Sequence, residues 1–186
     1  SGSVYLVESE NDGVTFQEDY TGDVDDYRLR YAVEDGKLVI QPCRSRTFGS
    51  MDLPKKTLTV FLPKTRTLDA VTVETVSADV ELHGGQTSVL SVTTTSGEII
   101  GPGIRAGEYD LSTVSGGVRL PSLPAAGSSI DCDTVSGYMS LGCAACPADV
   151  NFASVSGSLT LTLPAGSQYT LAFDSVSGRI ITTNFT

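Results

Sequence analysis

A nine-residue phrase recurs through the last two-thirds of this chain and constrains its fold more than any other feature. It reads "STVSGGVRL" at 112–120, "DTVSGYMSL" at 133–141, "ASVSGSLTL" at 153–161 and "DSVSGRIIT" at 174–182. Looser copies, "ETVSADVEL" at 74–82 and "TTTSGEIIG" at 93–101, stand upstream. Aligned on the motif serine, Ser77, Ser96, Ser115, Ser136, Ser156 and Ser177 follow at intervals of 19, 19, 21, 20 and 21 residues. A period near 20 with a residue or two of slack suits stacked coils whose loops vary in length.

Within each repeat, apolar residues alternate with polar ones. Six positions before the serine stand Val71, Leu90, Tyr109, Ile130, Val150 and Leu171; four before stand Val73, Val92, Leu111, Cys132, Phe152 and Phe173. Three after it stand Val80, Ile99, Val118, Met139, Leu159 and Ile180. A period of two means strand, and no segment shows helical spacing with caps. The unit is a strand, a bend at "SG", a second strand and a loop. Such a unit cannot bury its inward row alone, but stacking buries the rows continuously. The expected fold is therefore all-β: a single-stranded β-helix, or β-solenoid, of about six coils over 67–186. At about 4.8 Å per rung it would stand roughly 29 Å tall.

The repeated phrase is the corner of that coil. Thr75, Thr94, Thr113, Thr134, Ser154 and Ser175 lie two before the motif serine, so two hydroxyl ladders run up the corner. Each hydroxyl can bond a neighbouring coil or its own turn. The next column is Ala78, Gly97, Gly116, Gly137, Gly157 and Gly178. Glycine there implies either a left-handed backbone or a close approach of another chain segment.

Residues 1–66 lack the repeat. They read as short strands, "SVYLVES", "GVTFQEDY", "YRLRYAVE" and "KLVIQPC", with turn signals at "NDG" and "EDG", an irregular basic loop over 42–56, and a lead-in strand "KKTLTVFLPK". An open solenoid end exposes unpaired strand edges, so this segment is expected to form a β-rich cap on the first coil, contiguous with it.

The net charge of −10 is uneven. Residues 1–66 carry 9 Lys/Arg against 11 Asp/Glu, and residues 67–186 carry 3 against 11. That field disfavours nucleic acid and anionic lipid surfaces as partners and favours cations or a basic partner. No run of 18 apolar residues and no leader pattern of basic, apolar and small regions occurs. The opening "SGS" reads as a cloning scar, which leaves room for a membrane anchor outside this sequence.

"LTVFLPKTRTLDAVTVETVSADVEL" at 58–82, followed by serial "TVSG" units, resembles the toastrack domains, a bacterial family also labelled "putative adhesin". The resemblance runs from about Val4 to Thr186 and is most specific over 58–178. It implies a right-handed single-stranded β-helix outside the cytoplasmic membrane, often beside a transmembrane segment or envelope-stress regulators. It implies no catalytic residues and no cofactor.

Several residues are candidates for chemistry. His83 is the only histidine and no "GxSxG" elbow occurs, so a hydrolytic triad would need His83 beside a motif serine. Cys143 and Cys146 form "CAAC", open to three readings: reduced loop thiols, a disulfide, or half of a zinc site completed by Cys132, Cys43 or His83. Cys132 falls in an apolar column and is expected to be a buried thiol. Asp110 and Asp131 share an outward column on adjacent coils and make the best carboxylate pair; Glu74, Asp133 and Asp174 share another. Three functions fit. The first is a non-enzymatic extracellular, cell-surface domain that binds a surface glycan or protein. The second is the ectodomain of a membrane-anchored envelope-stress sensor, and the third, less favoured, is a glycan-active enzyme. A bare last coil adds end-to-end self-association to the expected partners.

Overall fold

The computed structural model describes residues 2–20, 28–41 and 55–185, and within them it is all-β with no helix. Five strands precede the repeats: β1 (Ser3–Ser9), β2 (Thr15–Asp19), β3 (Arg30–Glu34), β4 (Lys37–Gln41) and β5 (Thr57–Pro63). Each later coil contributes two strands. They are β6 (Leu68–Thr75) and β7 (Asp79–His83), β8 (Gln86–Thr94) and β9 (Ile99–Ile100), then β10 (Arg105–Thr113) and β11 (Gly117–Leu123). The last three coils are β12 (Ser129–Thr134) and β13 (Tyr138–Cys143), β14 (Asp149–Ser154) and β15 (Ser158–Pro164), and β16 (Thr170–Ser175) and β17 (Arg179–Phe185).

The first strands of the six coils form one parallel sheet, β16-β14-β12-β10-β8-β6. The second strands lie in another, β17-β15-β13-β11-β9-β7-β1-β5-β2, parallel except at β2. Register follows the sequence columns. Leu90 pairs with Tyr109, Tyr109 with Ile130 and Ile130 with Val150, while Val80, Ile99, Val118, Met139, Leu159 and Ile180 align across the other sheet. These rows meet between the sheets as one continuous core, fully buried through the middle coils. Tyr109 is the polar exception in its row. Its buried hydroxyl donates to the Ile104 carbonyl at 2.8 Å and accepts the Ala106 N–H at 2.9 Å, so the phenol is satisfied by its own coil's loop. At the last coil the inner row opens to solvent, and Phe173, stacked on Phe152 at 5.7 Å between centroids, is 40% exposed.

The corners divide the two hydroxyl ladders between two tasks. The inner hydroxyls bond their own turn: Thr94, Thr113, Thr134 and Ser154 accept the N–H of the glycine three residues on at 2.8–2.9 Å. The motif serines face outward and bond the neighbouring coil. Ser96, Ser115, Ser136, Ser156 and Ser177 each donate to the preceding coil's carbonyl just before its own serine, at 3.1–3.4 Å.

The corner glycines resolve the alternative left by the sequence. Gly97, Gly116, Gly137, Gly157 and Gly178 are absent from the positive-φ residues, so the left-handed option is corrected. What excludes a side chain is proximity. A Cβ on Gly137 would collide with the Gly116 carbonyl oxygen and lie 2.7 Å from Thr134 Oγ1, and one on Gly116 would strike the Gly97 carbonyl. Positive φ belongs instead to loop glycines such as Gly101.

The N-terminal strands differ from a simple lid. β2 does pair antiparallel with β5 at the end of its sheet, from Thr15↔Phe61 to Asp19↔Thr57. β1, however, runs inside the ladder, parallel to β5 on one side and to β7 on the other. Consecutive coils place β5 and β7 two rungs apart, and β1 fills the gap with Leu6 buried at 2%. Gly2 continues the corner column, since a Cβ there would meet the Lys56 carbonyl. The β3–β4 hairpin turns through Asp35 and Gly36, both at positive φ as a two-residue loop requires, and its Tyr31 packs edge-on against Phe16 at 5.1 Å. Lys56, just before β5, pairs with Glu18 of β2 at 2.6 Å, and Glu18 also accepts the Leu29 N–H at 3.0 Å. The loop expected over 42–56 lies almost wholly outside the described residues.

Two substitutions test this assembly. Gly137→Ala should cost about 1–3 kcal/mol in urea unfolding, because the added methyl forces the stacked corners apart; an unchanged midpoint would refute the close approach. Phe152→Ala removes a ring that is 2% exposed and should cost about 3–5 kcal/mol in the same measurement.

Candidate interaction faces

Strand alternation sends every second residue outward, so each sheet presents a flat face written one column at a time. On the β6–β16 sheet, the outward columns carry Glu74, Glu108, Asp110, Asp131, Asp133, Asp149 and Asp174, against one basic residue, Arg105 at the start of β10. The rest are mostly hydroxyl, amide or small side chains. Asp110 and Asp131 are in register on adjacent rungs. Asp110 accepts from Ser91 Oγ at 3.0 Å and Ser112 Oγ at 3.3 Å, and Asp131 accepts from Asn151 Nδ2 at 2.7 Å. Asp133 lies one column away, and its carboxyl is raised above its ordinary value by partial desolvation first, then by the charges of Asp110 and Asp131. A shallow depression of about 200 Å³ opens beside it, between Asp131, Asp133, Asn151, Phe173 and Asp174. No group of three or more His, Cys, Asp or Glu among the described residues is arranged to hold a metal ion.

The opposite face, on the β7–β17 sheet, carries the aromatic groups. One side-chain cluster on it spans three rungs. Tyr138, at the head of β13, pairs with Gly117 on the rung before, and its ring lies across that glycine. A Cβ on Gly117 would fall 2.6 Å from the Tyr138 hydroxyl oxygen. The hydroxyl reaches Glu98 on the next rung, donating to Oε1 at 3.0 Å, and accepts from Arg119 Nη2 at 2.7 Å. The Arg119 guanidinium also sits 5.6 Å from the ring centroid. Farther along the same sheet His83 bonds Glu81 at 2.9 Å and stacks on Tyr5 at 6.2 Å. The motif-serine hydroxyls of coils two to six bond backbone carbonyls rather than His83, whose partner is Glu81.

The corner itself bears a feature that the alternation pattern hides. Val76, Val114, Val135, Val155 and Val176, each just before a motif serine, are 71, 44, 45, 50 and 84% exposed, with Thr95 completing the column. The bend turns this column outward although strand parity alone leaves its direction open.

The cysteines separate by environment. Cys132 is 2% exposed in the inner row between Leu111 and Phe152, and burial drives its thiol far up. Cys143 closes β13, fully buried, with its thiol pushed up to about 11 by burial and by the nearby Cys146. Cys146 lies half-buried in the following loop, its thiol donating to the Gln168 carbonyl at 3.1 Å. All three are free thiols. Cys43 lies outside the described residues.

Over residues 21–185 the sequence matches the family model described as Toastrack DUF4097. The chain belongs to the toastrack family. Its fold is similar to that of a solved structure from Bacteroides fragilis NCTC 9343 bearing the name "putative adhesin". The TM-score is 0.54 at 13% identity, covering 99% of this chain and 88% of that one, a likeness of fold. No curated protein matches this sequence.

As a member of that family the chain offers two chemically unlike faces on one rigid frame. The acidic face can hold cations diffusely or meet a basic partner, and the aromatic face can make stacking and hydrogen-bonding contacts. The raised carboxyl on the acidic face has a definite pH signature. A folded-state value above the unfolded one means that ionisation costs stability; the penalty is absent below the unfolded value and complete above the folded one. Asp133→Asn should therefore unfold at a higher midpoint than the parent chain at pH 7, and the gap should close as pH falls through the carboxylate range. Equal pH dependence of the two melts would show that folding does not raise the Asp133 carboxyl. For the thiols, alkylation of the native chain at pH 7.5 should label Cys146 well before Cys143 or Cys132, because a thiol held protonated is a poor nucleophile. Peptide mapping after brief exposure to iodoacetamide reads the order directly.

Proposed function

We propose that this toastrack chain is a non-enzymatic contact module of the cell envelope or cell surface, presenting its solenoid faces to a surface glycan or protein. The observation that carries this reading is the flat, in-register array on the outside of the coils. Backbone ladders and bonded corners hold outward side chains at a spacing of about 4.8 Å, which suits repeated shallow contacts along an extended partner. The outward residues of the β13, β15 and β17 strands add to it, since Ser140, Ser158, Thr160, Thr162 and Thr183 supply hydroxyls that both donate and accept. The name borne by the Bacteroides fragilis structure points the same way, to adhesion. In this reading the exposed hydroxyls and the carboxylates of the acidic face serve as contact groups rather than as a nucleophile and base.

Co-sedimentation with insoluble cell-wall and mucin-type polysaccharides, with calcium and with chelator, tests the proposal. The expected result is retention of the domain without release of sugar ends into the supernatant. Release would assign catalysis instead, and a chain that stays in solution with every polymer would remove the glycan reading.

A further inference from the structure

We infer that Tyr138, Arg119 and Glu98 form a binding platform for an uncharged hexopyranose unit of a glycan, an inference that rests on the contact function proposed above. The ring is held before any ligand arrives. Gly117 leaves the space that it crosses, Glu98 takes its hydroxyl proton, and Arg119 donates to the same oxygen. Anchored at both ends of three rungs, Tyr138 is still 37% exposed, and Arg119 beside it is exposed. An aromatic face fixed in this way is electron-rich and attracts the weakly positive C–H face of a pyranose ring, with little rotamer freedom left to lose.

The polar rim supplies orientation. Arg119 uses one of its five donor N–H groups on Tyr138, and Glu98 has a second carboxylate oxygen beyond the one that receives the tyrosine proton. A donor and an acceptor on either side of an aromatic ring match vicinal hydroxyls, each of which donates and accepts. Charge selects the class of sugar. Arg119 and Glu98 cancel locally, whereas the whole chain carries −10 and the opposite sheet face bears many carboxylates against the single basic residue Arg105. A polyuronate or sulfated glycan is repelled by that field, and a neutral hexose polymer is not.

The test compares the 186-residue chain with three variants, Tyr138→Ala, Tyr138→Phe and Gly117→Ala, for retention on an insoluble neutral glucan, a neutral mannan and a polyuronate. Gly117→Ala keeps the tyrosine but puts a methyl where the ring lies. Because the colliding atoms are the far end of a flexible side chain, the ring swings away while the backbone stays. A thermal melt checks that each variant is folded. The parent chain should be retained by a neutral polymer, Tyr138→Ala and Gly117→Ala should each weaken retention about tenfold, and Tyr138→Phe should weaken it less. If the parent and both platform variants are retained equally, the platform is wrong and the contact function stands. Retention by the polyuronate alone overturns the uncharged class. Retention by none of the three overturns the platform together with the glycan reading on which it rests.

Discussion

At each corner of the solenoid an inner hydroxyl accepts the N–H of the residue three positions on, and in the coils that follow the first, a glycine at that residue lets the preceding coil's carbonyl come within contact distance. Everything else rests on this arrangement. The hydroxyl satisfies a backbone donor that the bend takes away from the sheet ladder, and Thr94, Thr113 and Thr134 do so almost without exposure. The missing Cβ keeps the coil spacing at the corner equal to the spacing in the sheets. Were the corner any thicker, the two parallel ladders would splay and the inward rows would lose contact. The outward serine then ties coil to coil at the same place, so the bend is bonded along the chain and across it.

That arrangement propagates a rung but does not say how to begin. The first coil has Ala78 where the others have glycine, and the partner beneath it is Gly2, brought in from the far N-terminus. β1 lies between β5 and β7, and the chain then crosses to the outside of β5 and returns antiparallel as β2. β5 is thus gripped between two strands that are neighbours in sequence. An antiparallel edge ends the parallel ladder at that end of the sheet, because the next parallel rung would find the wrong pattern of donors and acceptors.

Much of this was legible in the sequence, and what was not has physical reasons. The three apolar columns, the coil count and the two hydroxyl ladders follow from alternation and period, and the register pairs the same residues that the alignment stacks. The turn at Asp35-Gly36 was carried by its two residues alone. The position of β1 was not legible, since "SVYLVES" alternates as any strand does and no local signal names a partner some 50 to 80 residues away. The corner glycines were visible as a column, yet composition could not separate positive φ from close approach. Tyr138 escaped for a related cause. Periodicity assigns a residue to a face, but the direction in which a long side chain leans depends on where a neighbour is missing, and here that neighbour is Gly117.

Such a division of labour bears on where function can reside in a fold of this kind. Inner columns and corners are tied to one another by packing density and by hydrogen bonds, so a change there is felt along the stack. Outward columns are free to differ from rung to rung, because nothing in the ladder depends on them. A residue on an outer column that other residues hold in place is therefore more informative than one that merely faces solvent. By that criterion the acidic face is loosely specified, its carboxylates spread over three columns, with Asp110 bonded to two serine hydroxyls and Asp131 to one amide. The Tyr138 cluster is the opposite. A glycine, a carboxylate and a guanidinium on two neighbouring rungs converge on one ring, although the coil would stack equally well without any of them. Order that the fold itself does not require is where a partner is best sought.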